Sequence, residues 1–226
     1  MFKIMTAAAF LTLFTCAGWA RSSPTPKDEK SGAKSEELSK ATQILEEMTS
    51  SDQIPKPLLT QAQCVGVIPE MTKGGFIAGA EHGGGVVSCR NGSGWSAPAF
   101  FSISGGSVGF QAGLEKSQIV LLMNQQGEQY LMNDNFQLGA EAVAAGPTSG
   151  TSGSVGWKAP VLSYAKSKGA YAGINLAGST ITIDHDTDRN VYGSGATTQQ
   201  VLNGKVQTPP QAQQFVAAVR RTTQQG

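Results

Sequence analysis

The chain has 226 residues, of which 39% are hydrophobic and 15% charged, with 17 Lys and Arg against 16 Asp and Glu. That length suits a single domain with a tail, and the apolar content is enough to bury a core, which excludes wholesale disorder. A net charge of +1 lacks the basic excess of a nucleic-acid binder, so no nucleic-acid partner is expected. Glycine stands out at 28 residues, about 12% where ~7% is usual. Twelve of these fall between Gly74 and Gly113 without a Gly-X-Y period, so the chain is not collagen and is rich in turns, bulges and close backbone contacts.

Residues 1–20 read as a signal peptide. Lys3 forms the positive start, Ile4 to Phe14 the apolar stretch, and Gly18-Trp19-Ala20 the small-residue site for cleavage after Ala20. Eleven apolar residues are too few to cross a membrane, which takes about 20. Cys16 offers an alternative, lipidation after the segment Leu13-Phe14-Thr15. Lipoprotein processing favours smaller residues than Phe and Thr at these positions, so cleavage after Ala20 is preferred. The protein is therefore expected to be exported, periplasmic or attached to the cell envelope, with a lipid anchor only if Cys16 is acylated. The mature chain carries 16 positive and 16 negative residues and keeps Cys64 and Cys89. In an exported protein these two either pair or sit as separate buried thiols.

Residues 21–35, rich in Pro, Ser and Lys, read as a flexible linker, and residues 36–226 as one domain. Leu38, Ala41, Ile44, Leu45 and Met48 share one face of a helix that opens at Ser35 and stops at Ile54-Pro55. Leu58–Ala62 suits a short helical turn, and Cys64–Pro69 a buried strand. Four further runs, Gly75–Ala80, Gly85–Cys89, Ala99–Ile103 and Ser107–Gly113, follow with a period near two, and Asn91-Gly92 marks a hairpin. Ile119–Met123 reads as a strand and Gln125–Glu128 as a turn. Ala140–Ala145 is Ala-rich and precedes a Ser/Thr/Gly loop. Tyr164–Leu176 and Ser179–Ile183 read as strands, Asp184–Asn190 as a polar turn, and Ala212–Arg221 as a closing helix. The fold class is α+β: a curved, largely antiparallel sheet, barrel-like at the limit of its curvature, with an N-terminal and a C-terminal helix.

Four local patterns bear on chemistry. Gly105-Gly106-Ser107-Val108-Gly109 has the G-x-S-x-G spacing of a hydrolase nucleophile, which needs a strand–turn–helix setting and a histidine. Here the following residues alternate like a strand, and only His82 and His185 exist, so hydrolysis by Ser107 is the least favoured function. Asp184, Asp186 and Asp188 have the spacing that opens a calcium loop, but Arg189 and Gly195 stand where Gly and a bidentate Glu belong. An acidic turn accounts for them better. Cys64, Cys89, His82 and His185 lack the paired spacing of a zinc site, so no metal or cofactor is expected. Gly83-Gly84-Gly85 lacks the order of a phosphate-binding loop and reads as a bulge or a tight crossing of two backbones.

The ordered blocks Lys73–Val87, Gly94-Trp95-Ser96-Ala97-Pro98, Gly105–Gly113, Gly139-Ala140-Glu141, Ala145-Gly146-Pro147, Ser163–Gly169, Ala172–Gly178 and Asn190–Gly193 resemble the SYLF domain family. The resemblance spans about Leu58 to Arg220. It implies a non-catalytic domain that binds membrane lipid, phosphoinositides in eukaryotic members. The family's basic N-terminal segment is not matched, because Ser35–Gln53 carries five acids against Lys40, a net charge of −4, which anionic headgroups repel. Actin is accordingly not an expected partner. Lipid capture needs cations for the headgroup and an apolar patch for the chains. The candidates are Lys73, Arg90, Lys116, Lys166 and Lys168, with Trp95, Phe100 and Phe101. The rival function is an envelope structural or interaction module without lipid affinity.

Overall fold

A computed structural model describes residues 26–75, 78–92, 94–108, 113–147, 157 and 159–224. The signal segment, Cys16 and the Ser/Thr/Gly stretch before Trp157 lie outside the described residues. The described residues form six helices and ten strands. Helices α1 (Pro26–Ser50) and α2 (Lys56–Gln61) lead into strands β1 (Cys64–Gly75), β2 (Ala78–Asn91), β3 (Gly94–Trp95), β4 (Ala99–Val108) and β5 (Gly113–Met123). Helix α3 (Gln125–Leu131) precedes β6 (Asn135–Gln137), β7 (Val143–Ala145), β8 (Val161–Ser167), β9 (Ala170–Gly173) and β10 (Thr180–Ile183). Helices α4 (His185–Tyr192), α5 (Thr198–Leu202) and α6 (Pro210–Gln224) end the chain.

The sheet order is β6-β10-β4-β2-β1-β5-β8-β7, with β3 on β2 and β9 on β8. Every pairing is antiparallel except β7 with β8. This is the α+β class expected from the sequence, a curled half-barrel with a helix at each end of the chain. Both faces of the sheet are covered. On one face Val65, Val67, Val86, Phe100, Val120, Leu122 and Tyr164 meet α1, α2 and α6. The sheet curls about the other face, where Ile68, Val87, Phe101, Ile103, Leu121, Val161 and Ile181 meet Leu131 of α3 and Val201 and Leu202 of α5.

The stripe Leu38, Ala41, Ile44, Leu45 and Met48 is docked in the first core, none of it more than 5% exposed. Among the described residues the helix runs from Pro26, upstream of the expected Ser35. Two expected turns are helix starts. Asn124 accepts from the backbone N–H of Gln126 and Gly127 to cap α3, and Asp184 accepts from Thr187 N–H to cap α4.

The triple glycine lies against a bulge. The β1–β2 register shifts between Val67 and Glu70, opposite Gly85. A Cβ at Gly85 would stand 2.7 Å from the Val67 carbonyl oxygen and 2.7 Å from the Phe101 ring, and one at Gly83 would stand 2.8 Å from the Glu70 carbonyl. Only glycine lets these strands approach so closely. Nearby, Cys64 and Cys89 are directly opposite in the β1–β2 ladder and form a fully buried disulfide.

Candidate functional site

The eight lipid candidates fall into three groups. Trp95, Phe100 and Phe101 are 6%, 1% and 2% exposed. They belong to the two cores and offer no surface patch to an acyl chain. Neighbouring Phe100 and Phe101 point to opposite faces of β4, as strand geometry requires, and both faces are covered.

Lys73 and Arg90 are tied into the framework. Lys73 sits 2.8 Å from Glu81, whose carboxylate is buried and also accepts from the Ser179 hydroxyl. Arg90 Nε donates to the Ala62 carbonyl at 2.8 Å and Nη2 to the Thr60 carbonyl at 3.1 Å, while its guanidinium stacks 4.7 Å from the Trp95 ring centroid. It clamps the end of α2 onto β2 and β3, and burial lowers its pKa.

Lys116, Lys166 and Lys168 come together. β5 and β8 pair with Gln118 opposite Lys166, and the bulge in β1 brings Pro69 and Glu70 to the same place. The result is a cleft of about 350 Å³, lined by these residues with Ser117 and Gly169. Lys168 and Gly169 form the two-residue turn between β8 and β9, with φ of 49° and 81°. Two positive φ values are what a tight hairpin turn demands, and a lysine there is unusual. Lys116 Nζ lies 2.8 Å from Glu70 Oε1. Lys166 pairs with Glu47 of α1 and lies 5.5 Å from the Tyr171 ring centroid. The Lys166 hydrogen bond holds the Glu47 carboxylate below its usual range, and the same bond raises Lys166. Glu47, Glu70 and Tyr171 were not anticipated, because only the tertiary register places them beside these lysines.

Among the described residues, no catalytic or metal-binding set assembles from these local patterns. Ser107 lies within β4, paired with Gly79, and the next described element is strand β5. His82 is paired with Ser104 instead, three positions before Ser107 along β4. His185 is engaged elsewhere, with Asp134 at 2.8 Å and Thr198 at 3.2 Å. The three aspartates diverge: Asp184 caps α4, Asp186 pairs with Arg189, and Asp188 is fully buried. Glu128 approaches the sulfurs of Cys64 and Cys89, but those are joined to each other and are not thiolates.

Asp188 has a measurable consequence. It accepts from Phe100 N–H at 3.0 Å and from the Thr198 hydroxyl at 2.9 Å, yet burial pushes its pKa up from 3.8 to about 6. A folded pKa above the unfolded one means that this group stabilises the protein fully below about pH 4. That contribution is lost as the pH rises through 6. Asp188→Asn removes the titration, so its stability relative to the parent is expected to improve by about 3 kcal/mol between pH 4 and 7. Urea unfolding of both proteins across that range checks this, and parallel curves would contradict it.

Fold and site together define a half-barrel domain with a cationic cleft, among the described residues, on its helix-covered face. The family model described as "Las17-binding protein actin regulator" (Ysc84) matches residues 104–222. The chain belongs to this family, the SYLF domain family that its sequence resembles. It is 31% identical over 203 residues to LAS seventeen-binding protein 3 of Saccharomyces cerevisiae, covering 83% of this chain and 43% of that protein. It is 33% identical over 215 residues to the SH3 domain-containing YSC84-like protein 1 of Mus musculus, covering 89% and 62%. The chain thus spans only part of the length of these relatives. The yeast relative's name speaks of binding and the family description of actin regulation, and neither of catalysis; they weigh against setting actin-linked partners aside on the charge of α1 alone.

Proposed function

We propose that this domain binds the anionic headgroup of a membrane phospholipid in the cleft formed by Lys116, Lys166 and Lys168, without catalysing a reaction. The observation that carries this reading is the convergence of three lysines, two on neighbouring strands and one in the adjoining hairpin turn, at a cleft large enough for a headgroup. A phosphate needs charge and several N–H donors, which ammonium groups on neighbouring strands supply. Reading residues 1–20 as a signal peptide supports this proposal, since an exported protein meets the anionic phospholipids of the envelope. Because the aromatic candidates are core residues, binding is electrostatic and superficial, with the acyl chains left in the bilayer.

Co-sedimentation with phosphatidylcholine vesicles, with and without phosphatidic acid, tests this reading. The domain is expected to pellet only with the anionic vesicles and to be released as salt screens the lysines. Failure to pellet with either would refute lipid binding. A second reading, a protein-interaction module, draws on the names of the relatives, of which one is Las17-binding. It predicts no vesicle binding and a specific protein partner.

A further inference from the structure

Two of the three cleft lysines are already answered from within the chain. Lys116 holds Glu70 in a pair open to solvent, and Lys166 holds Glu47, which also accepts from the Tyr171 hydroxyl at 3.3 Å. Lys168 is exposed and has no carboxylate partner among the described residues. An incoming anion therefore meets two carboxylates as well as three ammonium groups. It gains Lys166 only by taking it from Glu47.

Glu47 is placed to give way. Its neighbours Ile44, Leu45 and Met48 fix the backbone of α1 in the core, while the Glu47 side chain is 49% exposed. A change of rotamer releases Lys166 without moving the helix, and an exposed ion pair of this kind is weak. Resting on the headgroup reading above, we infer that Glu47 is a built-in competitor, a carboxylate that occupies Lys166 until a phosphate displaces it. The site thereby rejects weakly charged surfaces and favours a phosphate monoester, whose greater charge outcompetes one carboxylate.

The test compares the full chain with Glu47→Gln, Glu46→Gln and Glu47→Gln/Lys166→Gln on phosphatidylcholine vesicles containing phosphatidic acid. Glu46 pairs with Arg221 on the same helix turn, so its variant makes the same charge change away from the cleft. Glu47→Gln is expected to bind roughly two- to five-fold more tightly, Glu46→Gln to match the parent, and the double variant to lose the gain. An equal gain in both single variants, or none in Glu47→Gln, overturns the competitor. If the parent binds, and Lys168→Gln weakens it while Glu47→Gln changes nothing, the competitor fails and the headgroup reading stands. Binding by neither parent nor Glu47→Gln overturns both. A parallel titration with inorganic phosphate distinguishes the sources. A gain seen there too assigns the competition to phosphate in any form, and a gain confined to vesicles assigns it to the lipid surface; either upholds the competitor.

Discussion

Leu45→Ala is expected to lower the unfolding free energy by about 2–5 kcal/mol, because it deletes a fully buried side chain and leaves a cavity. Leu45 is 0% exposed and lies in the core shared by α1, α6 and the sheet. An amphipathic N-terminal helix has two physical uses, as core or as a membrane-surface anchor. Surface helices carry Lys or Arg on the polar face, whereas this one presents Glu36, Glu46 and Glu47. Ion pairs reinforce the docked position, Glu46 with Arg221 of α6 and Glu47 with Lys166 of β8. The measurement is urea unfolding of Leu45→Ala beside its vesicle binding under native conditions. Lost stability with retained binding fits the docked helix. Unchanged stability with lost binding would make α1 the membrane contact.

The second large effect concerns the disulfide. Cys64 and Cys89 close a loop with a sequence separation of 25 across the central β1–β2 pair. Constraining a loop of that size in the unfolded chain contributes about 3–4 kcal/mol. Cys64→Ala/Cys89→Ala is expected to lose about that much, with its urea midpoint shifted down and the slope raised as the unfolded chain expands. The same shift is expected when the parent is unfolded in a reductant. A double variant as stable as the parent would contradict the loop argument. Intact mass of the mature protein from its native host gives the complementary check: a chain starting at Arg21 and two hydrogens lighter than the dithiol. A chain starting at an acylated Cys16 would overturn cleavage after Ala20.

Much of the fold was legible in local pattern. The spacing of Leu38, Ala41, Ile44, Leu45 and Met48 marks a helix with one buried face, and all five are buried. The end helices and the central strands follow from similar periodicity. The short helices were harder. Asp184, Asp186 and Asp188 were read as a polar turn, but an aspartate followed by further acids is also a helix N-terminus. Val191 and Tyr192 then anchor α4 against the cores. Thr197 and Gln200 form a complete capping box that opens α5, a signal present in the sequence and passed over.

The site was legible in part. Lys116, Lys166 and Lys168 were candidates on charge alone, and nothing local distinguished them from Lys73 or Arg90. What separates them is register: Lys73 falls beside Glu81, Arg90 beside Trp95, and Gln118 opposite Lys166. The aromatic candidates were misjudged for a related reason. Alternation along a strand tells which residues share a face, but not whether both faces are covered. Here helices cover one and the curl of the sheet covers the other, so Phe100 and Phe101 are both core.

The central claim, that the sheet-face cleft and not the N-terminal helix meets the membrane, is tested most directly by Lys116→Gln/Lys166→Gln/Lys168→Gln. These lysines lie outside both hydrophobic cores, so the thermal midpoint should stay near that of the parent. Removing three charges at about 1 kcal/mol each near an anionic surface should all but abolish co-sedimentation with vesicles containing phosphatidic acid. Parental binding by the correctly folded triple variant would contradict the account.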